Sequence, residues 1–432
     1  MSLMTALYSG ASGLEASSLE LSVVGDNIAN ANTIGFKGAR AAFADAMAQN
    51  LIGDTPLGGG QRGLGVKLQV VQKILTQGSL VNTGLATDLG IEGSGFFAVK
   101  GSSGGQTGTF YTRAGQFTLD ADGYLVSLAG LRVQGYSADP KGIIGNQLGD
   151  LQVGNASTSP LASSAITLKA NLQSDAVIPT LAWDPADPVN SSNFASTATL
   201  YDSLGKSHTV DIYFRKTADG AWDWHALTDG GNLTGGVAGT ATEVASGAMT
   251  FGSSGEMLTH SQTVNFNPNL AVNPQPLTFD FGDPTGTGGT GLLGITQFAA
   301  PSSTSFANQD GYDSGTLVRI SIDTQGQAVG VFSNGQTRPL GQVAVANFEA
   351  PDQLARVGGN LFSQTRDSGK PTIGVPAEGG RGKIVAGALE QSNVDMASEF
   401  IRMISSQRAF QANSKTLTTA DQLLAELMTI KR

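Results

Sequence analysis

The stretch VVGDNIANANTIGFKGARAAF, Val23–Phe43, decides how this chain is organised. An apolar helical pattern runs into Asn27, Asn30, Asn32 and Gly35, and the first positive charge appears only at Lys37. Asn and Gly adopt left-handed backbone conformations and satisfy local backbone groups, so these residues end a helix and fix the direction in which the chain leaves it. Upstream, Leu7, Leu14, Leu21 and Ile28 recur every seven residues, while Leu3, Gly10, Ser17, Val24 and Ala31 form an offset, partly small second seam. This is a heptad pattern, and it calls for partner helices.

The other end of the chain mirrors the first. From Val394 to about Ile430 there is no Gly or Pro, and Met396, Met403, Phe410, Leu417 and Leu424 again fall seven apart. At about 1.5 Å per residue this helix is on the order of 55 Å long, and the N-terminal one about 40 Å. Gln407, Arg408, Gln411 and Asn413 interrupt the C-terminal stripe, which reads as a polar layer in a bundle or as two short seams facing different neighbours. A helix pair inside one monomer is one reading of both patterns. The small residues Gly10, Ala11, Ser12, Gly13, Ser17 and Ser18 would under-pack an isolated pair, so a crowded array of copies is the better reading.

Between the helices the period changes to two. Val66, Leu68 and Val70 alternate, and the stretch Phe110–Tyr136 reads as short strands broken at Ala114-Gly115, Asp122-Gly123 and Ala129-Gly130. A second block of this kind covers Gly315–Phe348. The segment between them holds all three tryptophans and all three histidines, with Gly/Ser/Thr-rich loops. The fold class is therefore mixed α and β and multidomain: long terminal helices in an axial, coiled-coil-like domain, with two mainly antiparallel β domains nested between them. The expected divisions are 1–36 with 390–432 for the axial helices, 37–82 as a connecting segment, 83–150 with 310–389 as an inner β domain, and 151–309 as an outer β domain.

Composition excludes several functions. Charged residues make up 14% of the 432, against roughly 25% in ordinary soluble domains. The net charge of -10 offers no basic footprint for nucleic acid, and cysteine is absent, which removes disulfides, zinc-thiolate sites and cysteine nucleophiles. His208, His225 and His260 lack metal-ligand spacing. No apolar run reaches the roughly 18 to 20 residues of a membrane span. The region before Lys37 lacks the positive start of a signal peptide, so export, if any, is expected to proceed without cleavage.

Three short motifs are read as loops. Gly58–Gly63 fits G-x-G-x-x-G but precedes strand residues where a phosphate cradle needs a helix. Gly101–Gly105 fits G-x-S-x-G without the helix of a nucleophile elbow. Asp120-Ala121-Asp122-Gly123 begins like a calcium loop, but its twelfth position is Leu131. No catalytic residue, cofactor or metal is expected, and the chain is not read as an enzyme.

NIANANTIGFK, Asn27–Lys37, resembles the motif shared by bacterial flagellar rod and hook proteins. GALEQSNVDMASEFIRMISSQRAFQANSKTLTTADQLLAELMTIKR, from Gly387 onward, is similar to the C-terminal helix of that family. ATDLGIEGSGFFAVK with FYTRAGQFTLDADGYLV resembles its first β domain. Within the family, LYDSLGKSHTVDIYFRKTADGAWDW, Leu200–Trp224, is similar to the outer domain of the hook members, which rod subunits lack.

The resemblance implies a structural subunit of the flagellar hook, a hollow curved homopolymer that transmits torque as a flexible joint. A straight, distal-rod-type polymer is the alternative. A more distant rival is an exported carbohydrate-active or adhesive β protein, suggested by AWDWHAL. The implied partners are further copies of the chain, the distal rod, hook cap and hook-filament junction proteins, and the flagellar export apparatus, without nucleic acid or membrane insertion. The implied location is extracellular, in the hook. The residues expected at the polymer interface are Leu7, Leu14, Leu21, Ile28, Met396, Met403, Phe410, Leu417 and Leu424. Asn30 and Phe36 join them at the corner, with Phe36 reaching a neighbour's apolar surface.

Overall fold

The N-terminal helix, Leu3–Ala29, and the C-terminal helix, Met396–Ile430, are the two long helices of a chain otherwise built from strands. In this computed structural model residues 3–46, 49–50 and 61–430 are described. Two compact units separate: residues 1–156, 318–331 and 337–432 in the first, and 157–317 with 332–336 in the second.

Local chemistry sets the ends of both helices. The Asp395 carboxylate accepts the Ala397 N–H at 3.0 Å and the Ser398 hydroxyl at 2.8 Å, an N-cap for the C-terminal helix. At the other helix the Asn30 amide donates to the Asp26 carbonyl at 2.9 Å, and Gly35 takes φ +69° to turn the chain away. Behind the corner, Ala39–Asp45 pairs antiparallel with Val66–Lys73, Ala39 opposite Lys73 and Asp45 opposite Val66. Two short ladders then bring the chain ends together: Leu80–Asn82 with Ala388–Glu390, and Leu89–Glu92 with Lys383–Ala386.

The main sheet of the first unit places Thr337–Val343, Arg132–Ala138, Phe96–Ser103, Gln106–Thr112, Leu361–Ser363 and Ala355–Gly358 side by side. Its core is aromatic. Phe96, Tyr111, Phe348 and Phe362 are buried together with edge-to-face rings, Tyr111 and Phe348 at 4.8 Å between centroids. Two of the loop motifs take their places here. Gly104 and Gly105, both with positive φ, close a hairpin, and the Asp120 carboxylate accepts the N–H groups of Asp122 and Tyr124 in a turn. Residues 58–60 of the third motif lie outside the described residues.

The second unit carries a six-stranded antiparallel sheet led by Phe194–Tyr201, Ser207–Ala218, Ala221–Asp229 and Ala241–Phe251. Val210, Ile212 and Phe214 are buried and alternate with the half-buried Asp211, Tyr213 and Arg215, which is the period-two pattern of a sheet with one covered face. Trp222 and Trp224 lie on the covered face, Trp224 edge-on to Phe281 at 4.9 Å. A second sheet, Thr278–Asp280, Ala165–Asn171 and Ser303–Gln309, supplies residues such as Ile166, Leu168 and Phe279 to the same core. Trp222 and Trp224 are thus core residues, which removes the basis for reading AWDWHAL as a glycan platform.

Candidate assembly interface

The two long helices pack on each other. Gly13 stands closest to the partner helix: a Cβ there would meet the Asn413 amide nitrogen at 2.6 Å, whereas one at Gly10 would make an ordinary contact with the Asn413 carbonyl oxygen at 3.6 Å. Ser12 lies toward the strand Val66–Lys73 instead, its hydroxyl accepting the Val66 N–H at 3.2 Å. The small positions of the N-terminal helix therefore admit elements of the same chain. Asn413 is a polar residue of that pairing, whereas Gln407, Arg408 and Gln411 are exposed.

The heptad residues divide into two groups. Leu7, Leu14, Leu21 and Ile28, with Met403, Leu417 and Leu424, are half-buried. Met396 and Phe410 are exposed. So are Met4, Tyr8, Phe400, Ile401 and Ile404, which sequence periodicity did not single out; Tyr8 is 65% and Ile401 69% accessible. Burial in the C-terminal helix is sparse: among residues 396–426, Glu399, Ser406 and Ala420 are buried. A groove of about 690 Å³ runs between the helices past Ala6, Ala412, Thr416, Ala420 and Leu423. An isolated helix pair that exposes this much apolar surface has unsatisfied packing capacity.

The corner is bolted to its own chain. Asn27, 1% exposed, accepts the Ala39 N–H at 2.9 Å and donates to the Ala39 carbonyl at 2.7 Å, so one side chain ties the helix to the first strand. Asn30 is half-buried and holds the helix end. Phe36 is 5% exposed and lies beneath the Arg356 guanidinium, 4.9 Å from the ring centroid. The expectation that it reaches a neighbour is corrected: its ring is spent inside the chain, where Arg356 also bonds Asp26 and the Lys37 carbonyl. Asn393 completes the corner, accepting the Gly38 N–H at 2.8 Å and donating to the carbonyls of Ile74 and Thr76.

Sequence reasoning missed the ionic group beneath the corner. Glu390 is fully buried. Its Oε1 accepts Lys37 Nζ at 2.6 Å and the Gly78 N–H at 2.9 Å, and its Oε2 accepts Arg113 Nη1 at 3.1 Å. Lys37 also donates to the Thr76 carbonyl, and Arg113 to those of Ile91 and Gly93. Burial pushes the Lys37 ammonium below its usual value despite Glu390, and the Arg113 charge adds to the push. Burial likewise lowers Arg113. Lys37, Arg113 and Glu390 each lie in one of the three stretches that resemble the flagellar family. Lys37, the first positive charge of the chain, was the available signal; Arg113 and Glu390 carry none of their own.

Four family descriptions match along the chain: Flagellar basal body rod protein at 7–37, Flagellar hook protein FlgE/F/G D1 domain at 90–179, Flagellar basal body protein FlaE D2 domain at 171–312, and Flagellar basal body rod FlgEFG protein C-terminal at 385–430. The flagellar hook protein FlgE of Borreliella burgdorferi is 36% identical, covering 99% of this chain and 100% of that protein. The chain belongs to the flagellar hook protein FlgE family. The FlgE proteins of Escherichia coli K12 and Salmonella typhimurium LT2 are 33% and 34% identical, each over 97% of this chain and 98% of theirs. Membership of the hook protein family makes the chain a structural subunit of the bacterial flagellar hook, and the distal-rod alternative is not favoured.

Proposed function

We propose that the hook subunit polymerises through the outward faces of its helix pair into a hollow, curved tube, a flexible joint that passes torque from rod to filament. The observation that carries this reading is the row of exposed apolar side chains on the paired helices, Met4 and Tyr8 on one, Phe400, Ile401, Ile404 and Phe410 on the other. Each helix already has one partner, so further copies are what this surface has room for. A heterologous contact, one face of the pair against a different face of the next copy, generates an open helical array. Leu7, Leu14, Leu21, Ile28, Met403, Leu417 and Leu424 serve both the internal seam and its margins, while Met396 and Phe410 face copies. Asn30 and the buried Phe36 fix the angle at which each helix pair is presented.

In this reading the axial helices, 1–36 with 390–432, form a coiled-coil-like inner layer. Residues 37–82 connect it to an inner β layer, 83–150 with 310–389, and 151–309 form the outer one. Permanent inner contacts and exchangeable outer contacts give torsional stiffness with bending softness. The subunit has no catalytic role or cofactor in this scheme. It is exported to an extracellular position, and it meets the distal rod, hook cap and hook-filament junction proteins at the ends of the polymer. Electron microscopy of the purified chain under polymerising conditions tests the proposal. Curved tubes support it, and straight rods or persistent monomers contradict it.

A further inference from the structure

The buried group around Glu390 is electrically lopsided: two cations, Lys37 and Arg113, share one carboxylate, and all three are withdrawn from water. The consequence of removing a member depends on which one is removed. Without Lys37, Glu390 and Arg113 remain as a neutral pair, with Arg113 still bonded to the Ile91 and Gly93 carbonyls. Without Glu390, Lys37 and Arg113 face each other as uncompensated buried cations, which is strongly unfavourable.

The backbone has the same asymmetry. The lead-in to the C-terminal helix has a ladder of its own, Ala388–Glu390 on Leu80–Asn82, continued by the Gln391 N–H to the Ser79 carbonyl. The corner leans on the lead-in: the Gly35 N–H donates to the Glu390 carbonyl at 2.7 Å, and the Gly38 N–H to Asn393. We infer that Glu390 gates the docking of the N-terminal corner: Lys37 can be buried only after the C-terminal lead-in has placed its carboxylate, whereas the lead-in does not require Lys37. A chain made from its N-terminus cannot lock the corner at 34–39 until residue 390 of 432 is present. The N-terminal helix is therefore not presented at its working angle by an incomplete chain.

Hydrogen exchange on full-length protein reads this dependence in two variants. In Glu390→Gln the amides of 34–39 should exchange at least about tenfold faster, while 383–386 and 89–92 keep their protection. In Lys37→Met the amides of 388–391 should stay within about threefold of the parent. Equal loss at both segments in both variants, or an unchanged corner in Glu390→Gln, overturns the inference. If Glu390→Gln unfolds the whole first unit, the double variant Lys37→Met/Glu390→Gln decides, because it returns the buried site to the parent's net charge. Recovered protection in the strands 383–386 and 89–92, relative to Glu390→Gln, supports the gate, and no recovery overturns it.

Discussion

Gly13 on the N-terminal helix stands so close to Asn413 on the C-terminal helix that a Cβ there would lie 2.6 Å from the amide nitrogen. A side chain at residue 13 therefore has to displace the Asn413 side chain or part the helices. Gly13→Leu should push them apart at a cost of about 1–3 kcal/mol to the pairing. The chain has no cysteine, so spin labels on Ala6→Cys and Ala420→Cys, both beside the interhelical groove, report the distance. The label separation should increase in Gly13→Leu and be unchanged in a control such as Gly25→Ala, where a Cβ meets nothing within 4 Å.

The helix pair should be the least protected part of the monomer. With few residues of the C-terminal helix buried, its stability rests on one seam, and helices gain most of their stability from packing. Amide exchange in dilute monomer should be fast over about 3–25 and 400–430 and become slow on polymerisation. Strong protection of those segments in verified monomer would remove assembly as the source of their order.

How much of this was legible in the sequence differs by element. The helices announced themselves through Leu7–Ile28 and Met396–Leu424, because a seven-residue period survives without knowledge of the partner. The alternation of Val66, Leu68 and Val70 likewise marked a strand, Val66–Lys73. Which surface meets which was not legible. Gly10 and Gly13 signal close approach but not to what, and their partner Asn413 lies four hundred residues downstream, on a stripe that looked merely interrupted. Phe36 carries no mark that separates an internal anchor from an external one. The Lys37–Glu390 pair spans 353 positions, and no local pattern encodes a contact at that separation.

The second unit should lose stability in acid partly through Asp202. Burial raises its carboxyl, but hydrogen bonds from His208 and from the backbone N–H groups of Lys206 and Leu204 outweigh it and leave it below its ordinary value. An unfolded aspartate titrates near about 3.9, so this contribution is complete above that pH and is lost as pH falls through the lower folded value. Asp202→Asn should destabilise the unit by about 1–3 kcal/mol at neutral pH. Its unfolding midpoint should also fall less steeply than the parent's below about pH 4. Parallel acid profiles for the two proteins would exclude Asp202 as a contributor.

Replacing residues 157–317 by a short glycine-serine linker should leave polymer growth intact and alter curvature, since the helix-pair surface lies in the other unit. Negative-stain images of the shortened, folded protein give the answer. Complete failure to assemble would move the essential contacts into the second unit.

The central claim is that copies meet through the exposed face of the helix pair, and Ile401 probes it most directly, because at 69% exposure it contributes little to the monomer. Ile401→Asp together with Ile404→Asp places two carboxylates where a neighbouring helix would have to desolvate them, at a cost of several kcal/mol per contact repeated in every subunit. Sedimentation under polymerising conditions, alongside thermal unfolding of the monomer, is the deciding measurement. The account predicts an unchanged monomer transition and loss of the pelleted polymer. Normal yields of curved tubes from the doubly substituted protein would contradict it.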